Sequence, residues 1–268
     1  ENQFIYNQEL VQISEKKTFE ITNSFKVMQN VGFVCYSFIL NNFSQKKILI
    51  LCGPGNNGGD GALIAHYLFK KNTSVDISYP FGLPKTKDSK KALKSLKNKI
   101  KIKKNILFKE YDLIIDALFG TGINKILKPS MVSFINKLNQ ARITVVSIDM
   151  PSGVFTDTGQ IQQTAVKAST TLSLHRFKPG QWLLPGKEFC GKTVLLNIGL
   201  ANIDDKCFLK LNYPFTLPKP SLADNKFSKG SCFVLADKNL VGAPKLAFLS
   251  STQSALRAGA GLCKLIVN

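Results

Sequence analysis

Three near-continuous apolar runs, ILILC at 48–52, LIIDALF at 113–119 and TVVSID at 144–149, restrict what this chain can fold into. A strand that packs on one face alternates apolar and polar residues, whereas an unbroken run needs cover on both faces. The runs therefore predict a parallel sheet between two layers of helices, a three-layer α/β fold. Strand-like runs at 74–79, 170–174 and 192–198 extend the sheet, and Lys47 opens the first strand. Helical patterns at 60–71, 89–99 and 129–139 fall between the first four strands, as parallel connections require. An amino-terminal region, 7–41, carries helical spacing through Leu10, Ile13, Phe25 and Met28.

Past Leu200 the texture changes. Residues 201–224 have scattered Pro and no period, the composition of a linker. A fresh strand starts at Cys232, a helix follows over 243–258, and a strand over 262–267. The expected organisation is one domain over 1–215 and, over 216–268, a linker with the start of a second. One β-α-β unit is too small to bury a core of its own, which predicts a second domain cut short. The chain opens on Glu1, not Met, so it reads as a segment of a longer protein.

The net charge of +19 raises the question of nucleic acid. Most of the excess is Lys, concentrated at 85–109, with Arg almost absent and only Phe108 as a nearby aromatic. Nucleic-acid surfaces pair their cations with Arg forks and stacking aromatics, so the run reads as a solvated helix face and no nucleic-acid partner is expected. No apolar run approaches the roughly 20 residues of a membrane span, and no membrane association is expected. Cys35, Cys52, Cys190, Cys207, Cys232 and Cys263 form no C-x-x-C pair, and the histidines are His66 and His175 alone. They read as small core residues in a reducing compartment, the cytoplasm, with no zinc site.

The densest chemical signal is ILILCGPGNNGGDGALIAHYL at 48–68. A buried strand ends at Cys52, glycines follow, and a helix is expected to open near Asp60. Backbone N–H groups at such a turn can approach an anion, and the crevice beyond parallel strand ends is where ligands bind. Gly53, Gly55 and Gly58 satisfy G-x-G-x-x-G, which keeps an NAD(P)-dependent oxidoreductase as a rival reading. Against it, Asn56 and Asn57 are bulky where a pyrophosphate needs space, and the Asp60 carboxylate would repel one. Asp116 and Asp149 stand at two further strand ends, each followed by a small-residue loop. With Asn56, Asn57 and Ser152 they form an oxygen-rich cluster suited to a hard cation.

Gly55-Asn56-Asn57-Gly58-Gly59-Asp60-Gly61, Asp116-Ala117-Leu118-Phe119-Gly120-Thr121-Gly122 and Asp149-Met150-Pro151-Ser152-Gly153 resemble, in order, the signature motifs of the NAD(P)HX epimerase family. Lys178-Pro179-Gly180 and Met28-Gln29-Asn30-Val31-Gly32 are similar to two more. The resemblance covers about 8–200 and implies a Rossmann-like fold acting on hydrated cofactor, NADHX or NADPHX. It implies a potassium ion on Asn57, Asp116 and Ser152, with carbonyls of the loop around 120. It further implies substrate contacts from Asn56, Asn57, Gly58, Gly59 and Asp60, from Gly120, Thr121, Gly122, Ile123, Asn124, Lys125 and Ile126, and from Asp149. The loop 123–129 lacks the Arg and Gly expected there, and Gln29 and Val31 replace Glu and Ala. A homo-oligomer is left open.

Residues 225–230, 242–247 and 255–261 resemble the start of an ADP- or ATP-dependent NAD(P)HX dehydratase, which implies the first β-α-β unit of a ribokinase-like domain. Asn225 stands where that family usually has His. Ala243 is the candidate substrate contact of this part, and ADP or ATP with Mg would serve only the remainder of that domain. Within the first domain Asp149 is the candidate catalytic acid/base, because a strand-end carboxylate reaches the pocket while Asp116 is taken by the ion. His66 reads as packed or superficial, Trp182 as core, and His175 either faces the pocket or does not. A non-catalytic Rossmann-like scaffold is the rival from another class; three acids together favour catalysis.

Overall fold

The computed structural model describes residues 4–43, 47–96, 100–122, 127–161, 163–207, 209–211, 221–237, 239 and 241–267. The chain divides into two compact units, 1–212 and 213–268. The first runs β1 (Phe4–Ile5), α1 (Gln8–Phe19), α2 (Ser24–Asn42), β2 (Lys47–Cys52), α3 (Asn56–Lys70), β3 (Ser74–Ser78), α4 (Lys87–Ser95), β4 (Leu113–Ala117), α5 (Pro129–Gln140), β5 (Thr144–Ile148), β6 (Thr170–Leu174), α6 (Lys187–Cys190), β7 (Lys192–Leu196) and β8 (Leu209–Lys210). The second holds β9 (Ser231–Ala236), α7 (Ala243–Arg257) and β10 (Leu262–Val267).

Six strands form one parallel sheet in the order β3-β2-β4-β5-β6-β7. The expected three layers are present. Ile48, Ile50, Leu113 and Ile115 pack with α2, α3 and α4 on one face, while Leu49, Leu51 and Ile114 pack with Ile135 and Leu138 of α5 on the other. This is why the runs are unbroken: successive residues enter different cores, and both are apolar. β2 connects first to β3 on one side and the chain then crosses to β4 on the other. The topological switch point therefore lies between the carboxyl ends of β2 and β4. Counted by strand within the sheet, the order is 2-1-3-4-5-6, which differs from the 3-2-1-4-5-6 order of the dinucleotide-binding dehydrogenases.

The amino-terminal helical spacing is present, and two other readings need correction. The amino-terminal helical region is two helices, each capped by an asparagine side chain: Asn7 accepts from the Leu10 N–H, and Asn23 from the Lys26 N–H. Helix α3 opens at Asn56, four residues before Asp60, because its glycines permit helix packed hard against the sheet rather than a wide turn. Residues 201–207, 209 and 210 are not a free linker. Ile203 and Cys207 are buried with Tyr6, β8 pairs with β1, and Arg176 pairs with Asp204 at 2.9 Å. No period announces this segment because side-chain hydrogen bonds hold it, not an apolar stripe.

On α4, Ser89 and Ala92 turn inward while Lys87, Lys90, Lys91 and Lys94 are exposed, the solvated face read from the Lys run. All six cysteines are free thiols. Among the described residues no helix is long and apolar enough to cross a membrane. In the second unit β9 and β10 pair in parallel. Phe233, Leu235, Leu265 and Ile266 of its strands remain exposed, as does Leu246 of α7. Ala243 is the exposed first residue of α7.

Candidate active site

Gly53, after β2, and Gly58, in the first turn of α3, are demanded by contact. A Cβ on Gly53 would lie 1.7 Å from the Leu118 carbonyl oxygen, and one on Gly58 1.9 Å from the Gly53 oxygen. Such distances require glycine. The β2–α3 corner is thereby locked onto the end of β4, and the free N–H groups of the first turn of α3 open at the switch point.

A cavity of about 650 Å³ lies there. Its floor carries Asn56, Asn57 and Asp60 from α3, Gly120, Thr121 and Gly122 after β4, and Asp149 after β5. These predicted contacts are brought together. Gly58 and Gly59 are buried beneath and pack against Gly53 and Met28. Ile123, Asn124, Lys125 and Ile126 lie outside the described residues. The sequence reading missed the wall that α1 and α2 supply, including Val11, Glu15, Met28 and Val31, and also Thr86 and Lys87 at the start of α4. Thr86 donates to the Asn56 side chain at 2.6 Å, which ties α4 to the floor. Spacing within α1 marked Leu10 and Ile13 as core, and nothing in the sequence marked the neighbouring Glu15 as facing a distant strand end.

Asp116 lies within β4, opposite Ser147, and Asp149 just beyond β5, two residues past that register, so the two acids differ in depth and in surroundings. Asp116 is wholly buried. Its Oδ1 accepts from Ser152 Oγ at 2.6 Å and the Leu118 N–H at 3.2 Å, and its Oδ2 from Ser147 Oγ at 2.8 Å and the Ser152 N–H at 2.9 Å. Burial pushes its carboxyl up, and the bonds from Ser152, Ser147 and Leu118 oppose the rise. Neither Asp116 nor Ser152 lines the cavity; they lie under it. Asn57 does line it, and both its side-chain N and O are buried without a hydrogen-bond partner among the described residues. An orphaned buried amide costs free energy unless something fills its place.

Asp149 sits in the left-handed region at φ 68°, a strained conformation for a residue with a side chain. Its Oδ1 accepts from the Lys178 ammonium and from the Leu174 N–H at 3.4 Å. Lys178, which also lines the cavity, is buried to 1% exposure. Its role is the chief omission of the sequence reading, which saw the Lys178-Pro179-Gly180 motif but assigned it no chemistry. Asp60 is pushed well above the usual carboxylate range by burial, and then by the charges of Asp149 and Glu15. Glu15 is pushed up by burial and by Asp149, with Lys178 pulling it back. The cavity thus gathers four carboxyl groups, Glu15, Asp60, Asp88 and Asp149, and two ammonium groups, Lys87 and the buried Lys178.

His175 does not face the cavity. It is buried, Nε2 lies 3.3 Å from Ser14 Oγ, and its ring meets Tyr6 edge-on. Burial, then the charges of Arg176 and Lys178, depress its pKa to about 4. His66 stacks edge-on with Tyr67 on α3, and Trp182 meets Phe177 in the same way.

Residues 24–180 match the family described as YjeF-related protein N-terminus. The chain is 32% identical to a bifunctional NAD(P)H-hydrate repair enzyme of Dictyoglomus turgidum, over 90% of this chain and 50% of that protein. It is 32% identical to an NAD(P)H-hydrate epimerase of Leuconostoc kimchii, over 68% of this chain and 80% of that one. A bifunctional repair enzyme of Thermofilum pendens matches at 30% over 81% of this chain and 43% of its own. The chain thus spans about half the length of the bifunctional relatives. The crystal structure of the yeast protein ynu0 (YNL200c) superposes with a TM-score of 0.62 at 21% identity, covering 79% of this chain and 97% of that one, which speaks for the fold.

Proposed function

The chain belongs to the family of YjeF-related protein N-termini, and from that premise we propose that it epimerises the R and S forms of hydrated NADH and NADPH. The observation that carries the reading is a carboxylate, Asp149, held by a buried ammonium on the floor of a glycine-lined cavity at the switch point. Epimerisation breaks the bond from C6 of the reduced nicotinamide ring to its hydroxyl. The hydroxyl takes a proton and leaves as water, the ring nitrogen stabilises the cation that remains, and water returns to either face while giving its proton back. One acid/base group serves both directions. Asp149 fills that role, and the carboxylate charge of the cavity favours the cation. Lys87, exposed at the start of α4 where it lines the cavity, supplies positive charge for the dinucleotide's phosphates.

The ion site reads onto Asn57, Asp116 and Ser152. The unpartnered Asn57 amide fits a cation, since its oxygen lacks a donor. Ser152 Oγ donates to Asp116 at 2.6 Å, and the lone pairs that this bond leaves on both oxygens are what they would offer an ion. Potassium bound there would supply fixed positive charge beside the loops; these residues otherwise brace the corner between β4 and β5.

The second unit reads as the first β-α-β of a dehydratase domain, with Ala243 at its substrate side and ADP or ATP with Mg used by the longer protein. Two observations support this. The match to the Dictyoglomus protein takes in 90% of the chain, more than the first unit's 212 of 268 residues (79%), and the apolar strand faces of the second unit remain exposed. Free thiols suit a reducing cytoplasm. The test is to give the protein mixed NADHX epimers with an S-specific dehydratase and to follow the R form. Rapid consumption of R is the expected result; a rate no faster than spontaneous epimerisation defeats the reading.

A further inference from the structure

Lys178 is among the largest fully buried side chains of the protein. An ammonium removed from water needs strong acceptors, and it has two: Asp149 Oδ1 and the Leu174 carbonyl, the latter at 2.7 Å. The turn that carries it is built for this contact. The Gln181 side chain accepts from the Lys178 N–H at 3.0 Å and donates to the Asp149 carbonyl at 2.8 Å, so one amide spans the two backbones. Gly180 lets the turn close on the chain, since a Cβ there would lie 2.2 Å from the Phe155 oxygen. Replacing a buried ion pair by apolar residues of similar volume is commonly neutral or stabilising, so folding alone does not call for this pair.

Its effect is on the carboxylate. Oδ1 is taken by Lys178 and the Leu174 N–H, whereas among the described residues nothing donates to Oδ2. Oδ2 lies on the side of Gly120, where a Cβ would come 3.5 Å from it and 3.4 Å from Asn57 Cγ. The space in front of Oδ2 is thus kept open by a glycine.

We propose that Lys178 is a positioning residue for Asp149: its buried ammonium pins Oδ1 and leaves Oδ2 as the one oxygen presented to the reacting hydroxyl. The inference rests on the epimerase reading for its kinetics, though not for its geometry. Lys178 does not touch the ring; it acts through Asp149, holding a strained residue in one rotamer.

A kinetic cycle and a structure test this. Lys178→Met should lower kcat about 10²-fold, the loss typical when a reacting group is displaced by about 1 Å, with KM within a few-fold of the parent. In an Asp149→Asn background the same substitution should cost almost nothing more, because residues acting as one unit are not additive. Full additivity, or a loss confined to KM, overturns the proposal. If Lys178→Met does not fold, Lys178→Ala supplied with ethylammonium carries the test: recovery of kcat is expected, and recovery of fold without kcat overturns it. A crystal structure of Lys178→Met, or of Lys178→Ala without amine, reads the geometry with no turnover at all. The Asp149 carboxylate should be rotated or split between rotamers. A carboxylate superposed on the parent's defeats the proposal whatever reaction the parent runs, whereas an inactive parent with a displaced carboxylate defeats only the epimerase reading.

Discussion

The ends of β4 and β5 are neighbours in one sheet, and each places an aspartate at the switch-point edge, yet the two acids are held by opposite means. Asp116 is enclosed by uncharged donors, two to each oxygen, and has no face toward the cavity. Asp149 is held at one oxygen by a buried ammonium and turns the other toward Gly120. A ring of neutral donors fixes a carboxylate as a brace between β4 and β5. A single ammonium and one N–H hold Oδ1 of Asp149 and leave Oδ2 without a donor among the described residues, which is what the proposed acid/base role needs. The comparison teaches that a strand-end acid is assigned by the charge and number of its partners rather than by its place in the fold.

The largest expected effect separates the two by rate. Asp149→Asn preserves shape, so thermal midpoint and substrate binding should stay near the parent's while the epimerase rate falls at least about 10²-fold, the lower end for a positioned acid/base. Turnover within a few-fold of the parent would make Asp149 a brace like Asp116 and pass the role to Asp60.

A second experiment separates them by stability and salt. Asp116→Ala leaves buried donors of Ser147, Ser152 and Leu118 unpaired, at about 1–3 kcal/mol for each group that finds no new partner, so a loss of at least about 2 kcal/mol is expected in denaturant titration. Asp116→Asn should fold, bind potassium more weakly, and recover part of its activity at high potassium. In the parent, potassium at 100 times its Kd should stabilise by about 2.7 kcal/mol relative to a bulky organic cation at matched ionic strength, and Asn57→Ala should abolish the difference. Equal midpoints in both salts remove the ion from the site.

The smallest effect tests whether the buried groups beside Lys178 behave as its enclosure requires. His175 has a folded pKa of about 4 against the ordinary 6.5, so it stays neutral in the folded protein and takes up a proton more readily when unfolded. Its contribution to stability is present above pH 6.5 and is lost as pH falls toward 4. A loss of about 1 kcal/mol between pH 7 and pH 5.5 is expected from it, visible as an acid slope in the denaturation midpoint that His175→Gln flattens. An unchanged slope in that variant would show that other groups carry it.

The sequence by itself determined the sheet. Buried parallel strands are written as apolar runs, so all six strands of the main sheet and their parallel sense were legible, and glycines at forced contacts marked the switch-point loops. Asn56, Asn57, Asp60, Gly120 and Asp149 could be named because each lies in a motif that follows a strand and resembles a signature of the family. Strand limits were overdrawn at 118–119 and at 149, where the backbone leaves the ladder to reach the cavity and Asp149 turns left-handed, a step that apolar character does not encode. Only the tertiary structure decided that Glu15 of α1 joins the cavity and that Lys178, 29 residues beyond Asp149, closes the pair. It likewise packed Ile203 and Cys207 onto Tyr6 and turned His175 away from the site. The physical reason is common to these cases: apolar patterning is repeated along the chain and can be read locally, whereas a buried charge is defined by its partner, and only folding brings the partner to it.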